Sequence, residues 1–150
     1  MILYYLDSSA WVKRYFREPG REWVGGLFEQ AVFLSCSPLG LIEVNAASGR
    51  KRSFGEIDSA LFERTKALLL KDWSRFYRVE FVPAVVQTAL ALAGASALRG
   101  ADSVHLASAL VLKRELRIDD QDFTFVASDR ELNDAARRAG LTVVNPEEAV

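Results

Sequence analysis

The chain of 150 residues has a single cysteine and a single histidine. Cys36 has no partner within the chain, which excludes an internal disulfide and, with it, an exported disulfide scaffold. Its apolar neighbours mark it as a packing residue rather than a nucleophile. One cysteine and one histidine also leave nothing from which to build a zinc site. Long apolar runs are missing too: the longest, around Val85 to Ala93, is broken by Gln87 and Thr88 and is too short to span a bilayer. The opening MILYYLDSS lacks a basic start and meets an aspartate at once, unlike a signal peptide, so a cytoplasmic protein is expected. Excess positive charge is absent as well. With a net charge of -1, the molecule as a whole has no field to hold a nucleic acid, and any such binding needs a local basic patch or a metal ion.

What remains is an ordinary globular composition, 50% hydrophobic and 26% charged, in a length that suits one core without covalent staples. Short, largely apolar runs at 2–6, 31–35, 123–127 and 141–144 read as buried strands, and 77–82 as a further strand. Helical patterns alternate with them. One starts at Ser8 or Ser9 and reaches about Arg17, stopped by Pro19 and Gly20; others cover roughly 21–30, 38–49, 56–76, 83–98, 102–116 and 129–139. Strands apolar on both sides, alternating with helices, are the mark of a parallel sheet covered on both faces. No repeat, linker or low-complexity tract interrupts the pattern. The fold class is therefore α/β: one domain over 1–150, with a central, mostly parallel sheet of about four to five short strands flanked by helices on both faces.

Four carboxylates stand out against this frame. Asp7 follows the first strand and Asp129 follows FTFVAS, both at strand-to-helix corners, where open parallel sheets bind ligands. The two can face each other if their strands are neighbours. Taken singly, each is equally explained as a helix N-cap. Glu43 lies in PLGLIEVNAA, where nearly every neighbour is apolar, so it needs a cation, a hydrogen-bond donor or a metal unless it occupies a narrow exposed stripe. Asp102 opens GADSVHLASAL, where the helix dipole alone favours an aspartate. His105 lies one turn on and reads as a packing histidine bonded to a neighbouring helix, since no serine or cysteine nucleophile motif accompanies it. If the four carboxylates converge, they cannot all stay ionised without a cation. Mg²⁺ or Mn²⁺, as hard ions that take oxygen ligands, would resolve the crowding and suit phosphodiester hydrolysis.

The segments YYLDSSAWVKRYF, SPLGLIEVNAA, LRGADSVHLASAL and FVASDRELNDAARRAGL occur in the order found in PIN domains, and the chain resembles the VapC toxins of toxin–antitoxin pairs over essentially its whole length. That resemblance implies a PIN fold and a Mg²⁺- or Mn²⁺-dependent endoribonuclease. It further implies a homodimer, and inhibition by a cognate VapB-like antitoxin peptide that occupies the site. It assigns the acidic positions to Asp7, Glu43, Asp102 and Asp129, as metal ligands and catalytic residues. Ser9 matches a hydroxyl residue two places after the first aspartate, in a role orienting that aspartate or bonding a metal-bound water. Many relatives have a threonine or serine two places before the last aspartate. Here that residue is Ala127, with Ser128 beside it as a substitute.

RNA needs positive charge near an acidic cleft. Lys13, Arg14 and Arg17 on the first helix, and Arg50, Lys51 and Arg52 just past the helix carrying Glu43, are the candidate clusters; solvated charge near helix C-termini is the plainer reading of each. Trp11, Tyr15, Phe16, Trp73, Phe76 and Tyr77 are core aromatics, or in part a dimer face or an antitoxin groove. Two other functions stay open. An aspartyl-nucleophile phosphatase also places an aspartate after its first strand, but it usually has a second acid two residues on, where this chain has Ser9. A PIN-like module that binds RNA or protein without cutting is the other.

Overall fold

The computed structural model describes residues 1–149. Five strands form one parallel sheet: β1 (Leu3–Leu6), β2 (Phe33–Cys36), β3 (Tyr77–Arg78), β4 (Phe123–Val126) and β5 (Thr142–Val144), in the spatial order β3-β2-β1-β4-β5. The chain steps outward from β1 to β2 and β3, then returns to the other side of β1 for β4. That reversal makes the β1/β4 boundary the topological switch point of the sheet. Register pairs Leu3 with Phe123 and Leu6 with Val126, so the two strands end level. The next ladder bond, from Asp7 N–H to the Val126 carbonyl at 2.9 Å, carries the pairing into the corner itself.

Seven helices accompany the strands among the described residues: α1 (Ser8–Trp11), α2 (Arg21–Glu29), α3 (Pro38–Ser53), α4 (Ser59–Trp73), α5 (Pro83–Ala95), α6 (Gly100–Glu115) and α7 (Arg130–Arg138). Tyr5, Leu6, Phe123, Phe125 and Val126 are fully buried, as an apolar run covered from both faces requires. Trp11 stacks on Phe76 at 4.5 Å and on Trp73 at 5.8 Å, so these three aromatics belong to the core, whereas Tyr77 on the edge strand is half exposed. No helix is long and apolar enough to cross a membrane among the described residues.

Several element bounds differ from the sequence pattern. The first helix stops after Trp11 and tightens into a 3-10 turn over Val12–Arg14 instead of reaching Arg17. Its polar side chains turn inward: Lys13 is buried between Glu18 at 3.5 Å and Glu147 at 3.4 Å, and Arg14 makes a two-pronged pair with buried Asp72. Tyr15 donates to the same Asp72 at 2.7 Å and accepts from the Trp11 indole at 3.0 Å. Burial, and then the adjacent Asp72 carboxylate, push the Tyr15 hydroxyl far above its ordinary value, so it remains a donor. Gly20 must be glycine: its φ is +93, and a Cβ there would strike the Pro146 backbone at 2.8 Å. Helix α3 continues past Gly49 to Ser53, because packing on α4 outweighs the weak propensity of that glycine. Strand β3 is only two residues long; the Val82 N–H turns back to the Glu80 carbonyl and Pro83 starts α5 directly.

Asp72 holds the short first helix against α4 through three hydrogen bonds, all to a charged acceptor. Replacing Asp72 with Ala should cost about 3 kcal/mol. Equilibrium urea unfolding checks this, with the midpoint falling while the slope stays constant.

Candidate metal centre and its relatives

Parallel pairing sets the Asp7 and Asp129 corners side by side. One cleft of about 470 Å³ is lined by Asp7, Glu43, Asp102 and Asp129 together with Ser8, Ser9, Arg50 and Arg99. Asp7 is buried and caps α1, with one carboxylate oxygen accepting from the Ser9 N–H at 3.1 Å and the Ser9 hydroxyl at 2.6 Å. Asp129 caps α7 by accepting from the Leu132 N–H at 2.9 Å. Both residues therefore fill the capping role and face the cleft, so the two readings of these aspartates do not compete. Asp102 is not a cap. It sits in the first turn of α6 behind Arg99, which approaches its carboxylate at 3.8 Å.

Glu43 reaches the cleft from α3, less buried than its apolar neighbours suggest, with 30% of its side chain exposed. Its partner is His105. The Glu43 carboxylate lies 2.5 Å from His105 Nε2, and the same nitrogen is 3.6 Å from Asp7. His105 is fully enclosed and bonds Tyr5 through Nδ1 at 2.9 Å. It thus bonds a neighbouring helix as expected of a packing histidine, yet it does so directly beneath two of the four carboxylates. Burial works against the charge on Glu43, but the His105 bond and charge, with the Ser8 hydroxyl, hold its carboxyl below the usual value. Burial likewise disfavours imidazolium at His105; the oxygen and sulfur groups of Tyr5, Cys36 and Glu43 outweigh it and raise the ring well above its ordinary value.

Ser9 links the two corners. While its hydroxyl donates to Asp7, it accepts from the Ser128 backbone N–H at 2.9 Å. Ser128 thus contributes its main chain; its hydroxyl is buried without a hydrogen-bond partner. Asn133, a residue the sequence pattern does not single out, anchors the same corner by donating to the Ala127 carbonyl at 2.8 Å. The six candidate basic residues separate. Arg50 lines the acidic cleft. Lys13 and Arg14 are taken up by the ion pairs described above, and Arg17 lines a different cleft with Arg21, Glu18 and Glu22. Lys51 and Arg52 are on the last turn of α3, not beyond it; Lys51 sits over the Phe16 ring and Arg52 over Phe62. Arg99 is the cation at the rim that the sequence reading overlooked. Its only signal was its place just before Asp102.

The donor set is purely oxygen and strongly anionic, which fits a hard divalent cation. Burial, then the charges of Asp7 and Asp129, raise the Asp102 carboxyl above its ordinary value, with Arg99 and His105 only partly offsetting them. Each carboxylate is held by a protein partner, and among the described residues no three acidic, cysteine or histidine side chains are closed around one point as metal ligands would be.

The model of the PIN domain matches residues 4–138. This chain belongs to the PIN domain family. Ribonuclease VapC45 of Mycobacterium tuberculosis is 36% identical over 150 residues, covering 95% of both chains. Ribonuclease VapC47 of the same species is 28% identical over 146 residues, covering 95% of this chain and 96% of the relative. Among solved structures, FitAcB from Neisseria gonorrhoeae superposes with a TM-score of 0.65 at 14% identity, covering 97% of this chain and 99% of the other. A toxin–antitoxin complex from Klebsiella pneumoniae superposes with a TM-score of 0.63 at 16% identity, covering 99% and 100%. At such identities the structural likenesses speak for the fold, and that fold is the single five-stranded parallel α/β domain of the PIN family.

A raised carboxyl means that ionised Asp102 is disfavoured in the folded PIN domain relative to the unfolded chain. The resulting destabilisation is present above its folded value and disappears as pH falls through it. In EDTA at neutral pH, Asp102→Asn should therefore melt no lower than wild type. The difference should close as pH drops toward the ordinary 3.8. Thermal denaturation across a pH series measures both.

Proposed function

We propose that this PIN domain is a divalent-metal-dependent endoribonuclease, a VapC-like toxin held in check by a cognate antitoxin. The observation that carries this reading is the single cleft lined by Asp7, Glu43, Asp102 and Asp129 at the switch point of the sheet. The 36% identity to Ribonuclease VapC45 over nearly the whole length supports the substrate class. In this reading the four carboxylates hold Mg²⁺ or Mn²⁺. Once bound, the ion supplies a water of lowered pKa and offsets charge on the phosphodiester. The chain's own residues do the rest: Ser9 fixes Asp7 and ties it to the Asp129 corner, while Arg50 and Arg99 draw the RNA backbone to the rim of an otherwise acidic cleft.

The antitoxin is the partner that the toxin–antitoxin complex from Klebsiella pneumoniae suggests, and a cytoplasmic setting follows from an RNA target. A homodimer is part of the same proposal. From Val82 to Leu98 the chain is uncharged, α5 packs chiefly on α6, and Phe81, Val82 and Leu90 are left exposed. The second reading, a PIN module that binds without cutting, would have to keep four crowded carboxylates with no use for them, and the raised Asp102 carboxyl argues against it.

Purified protein incubated with single-stranded and structured RNAs should cleave in Mg²⁺ or Mn²⁺ and not in EDTA. Asp7→Asn should abolish cleavage. A mutant that cuts as fast as wild type would refute the metal site, and a melting temperature indifferent to Mn²⁺ would favour the inert module. The dimer has its own test: wild type should elute at twice the monomer mass by light scattering, and Leu90→Arg at the monomer mass.

A further inference from the structure

The Tyr5–His105 pair lies under the acidic cleft, and neither residue belongs to its lining. We propose that His105 is a positioning residue for Glu43, with Tyr5 as its anchor. The inference rests on the metal-site reading above.

The geometry builds from the sheet upward. Tyr5 on the central strand is fully buried and stacks on Phe125 at 5.7 Å, so its hydroxyl has a fixed place. That hydroxyl accepts from the Ser37 N–H at 3.1 Å, at the start of α3, and meets His105 Nδ1 at 2.9 Å. One phenol oxygen therefore ties together the first turn of α3 and the imidazole of α6. Either protonation state of the ring gives the same result at its far side. When neutral, His105 accepts the Tyr5 O–H at Nδ1 and carries its proton on Nε2; when charged, it carries protons on both nitrogens. In both cases an N–H on Nε2 faces Glu43 at 2.5 Å, with Asp7 at 3.6 Å.

Backbone packing enforces this approach. Gly40 precedes Glu43 by three residues, on nearly the same face of α3. A Cβ at position 40 would collide with the Cys36 sulfur and lie 3.3 Å from His105 Cε1. A bare glycine lets α3 settle onto the imidazole, and that depth brings the Glu43 carboxylate within reach of Nε2. That one N–H bonds Glu43, with Asp7 facing the same nitrogen at 3.6 Å, and it holds the Glu43 carboxylate at the cleft. A glutamate has three side-chain torsions. Fixing its carboxylate in advance spares the ordering cost when a cation enters.

Calorimetric titration of the metal-free full chain with Mn²⁺ is the test. His105→Leu removes the donor and should weaken Mn²⁺ binding by about 10- to 100-fold. His105→Gln, which can present an N–H near the Nε2 position, should stay close to wild type. Tyr5→Phe, which keeps the ring and loses the anchor, should fall between them and serves if His105→Leu does not fold. A folded His105→Leu that binds Mn²⁺ as wild type does would overturn the proposal. The sole histidine also offers a signal independent of metal. In ¹⁵N imidazole spectra the Nε2 proton should be strongly deshielded and slow to exchange, and both properties should be lost in Glu43→Ala. An unchanged signal in that variant would overturn the proposal equally. If wild type binds no Mn²⁺ and cuts no RNA, the metal-site reading fails, and the imidazole spectra alone decide whether His105 holds Glu43.

Discussion

Parallel hydrogen bonding from Leu3–Phe123 to Leu6–Val126 holds the ends of β1 and β4 level, and the acidic cleft depends on that levelness. Asp7 and Asp129 are far apart in the chain and become neighbours only because β4 returns to the free side of β1. The Asp7 N–H extends the ladder by one bond, and the Ser9 hydroxyl then stitches one corner to the other through Ser128. A one-residue slip in this pairing would send every side chain of β4 to the opposite face and separate the corners. The other two carboxylates arrive on helices, α3 and α6, that lie over the same strand ends.

Negative charge concentrated in this way opposes folding, and the surroundings are arranged to tolerate it. Capping gives Asp7 and Asp129 backbone or hydroxyl donors, Arg99 stands near Asp102, and His105 bonds Glu43 from below. Positive charge elsewhere is spent on structure. Lys13 and Arg14 bind acids that lock the first helix to the C-terminal segment and to α4, and Lys51 and Arg52 cover aromatic rings. This is why Lys13 and Arg14, adjacent in the sequence, are not free surface charge. The difference lies in their acceptors, which come from distant segments: Asp72 for Arg14 and Glu147 for Lys13.

The order and type of the elements were legible because they rest on local patterns. The apolar runs that form β1, β2 and β4 and the prolines at helix starts survive in the structure almost unchanged, as at Pro38 and Pro83, while 77–82 keeps only two residues of strand. Bounds were less legible where tertiary contacts override propensity: the early end of the first helix, and the passage of α3 through Gly49. Ser9 was legible only through the family pattern, and Arg99 and Asn133 were missed. Their roles depend on what lies across a corner, which spacing along the chain does not encode.

By itself, then, the sequence determined an α/β chain with a parallel sheet, four acidic positions, two of them at strand ends and two on helices, and the PIN pattern. Only the tertiary structure decided which strands are neighbours, which cations are left at the cleft and what the one histidine touches. Strand formation answers to a few consecutive side chains. Strand order, ion pairing and the depth to which Gly40 lets α3 settle on His105 are contacts between residues far apart in the chain, and their energies exist only once the fold has closed.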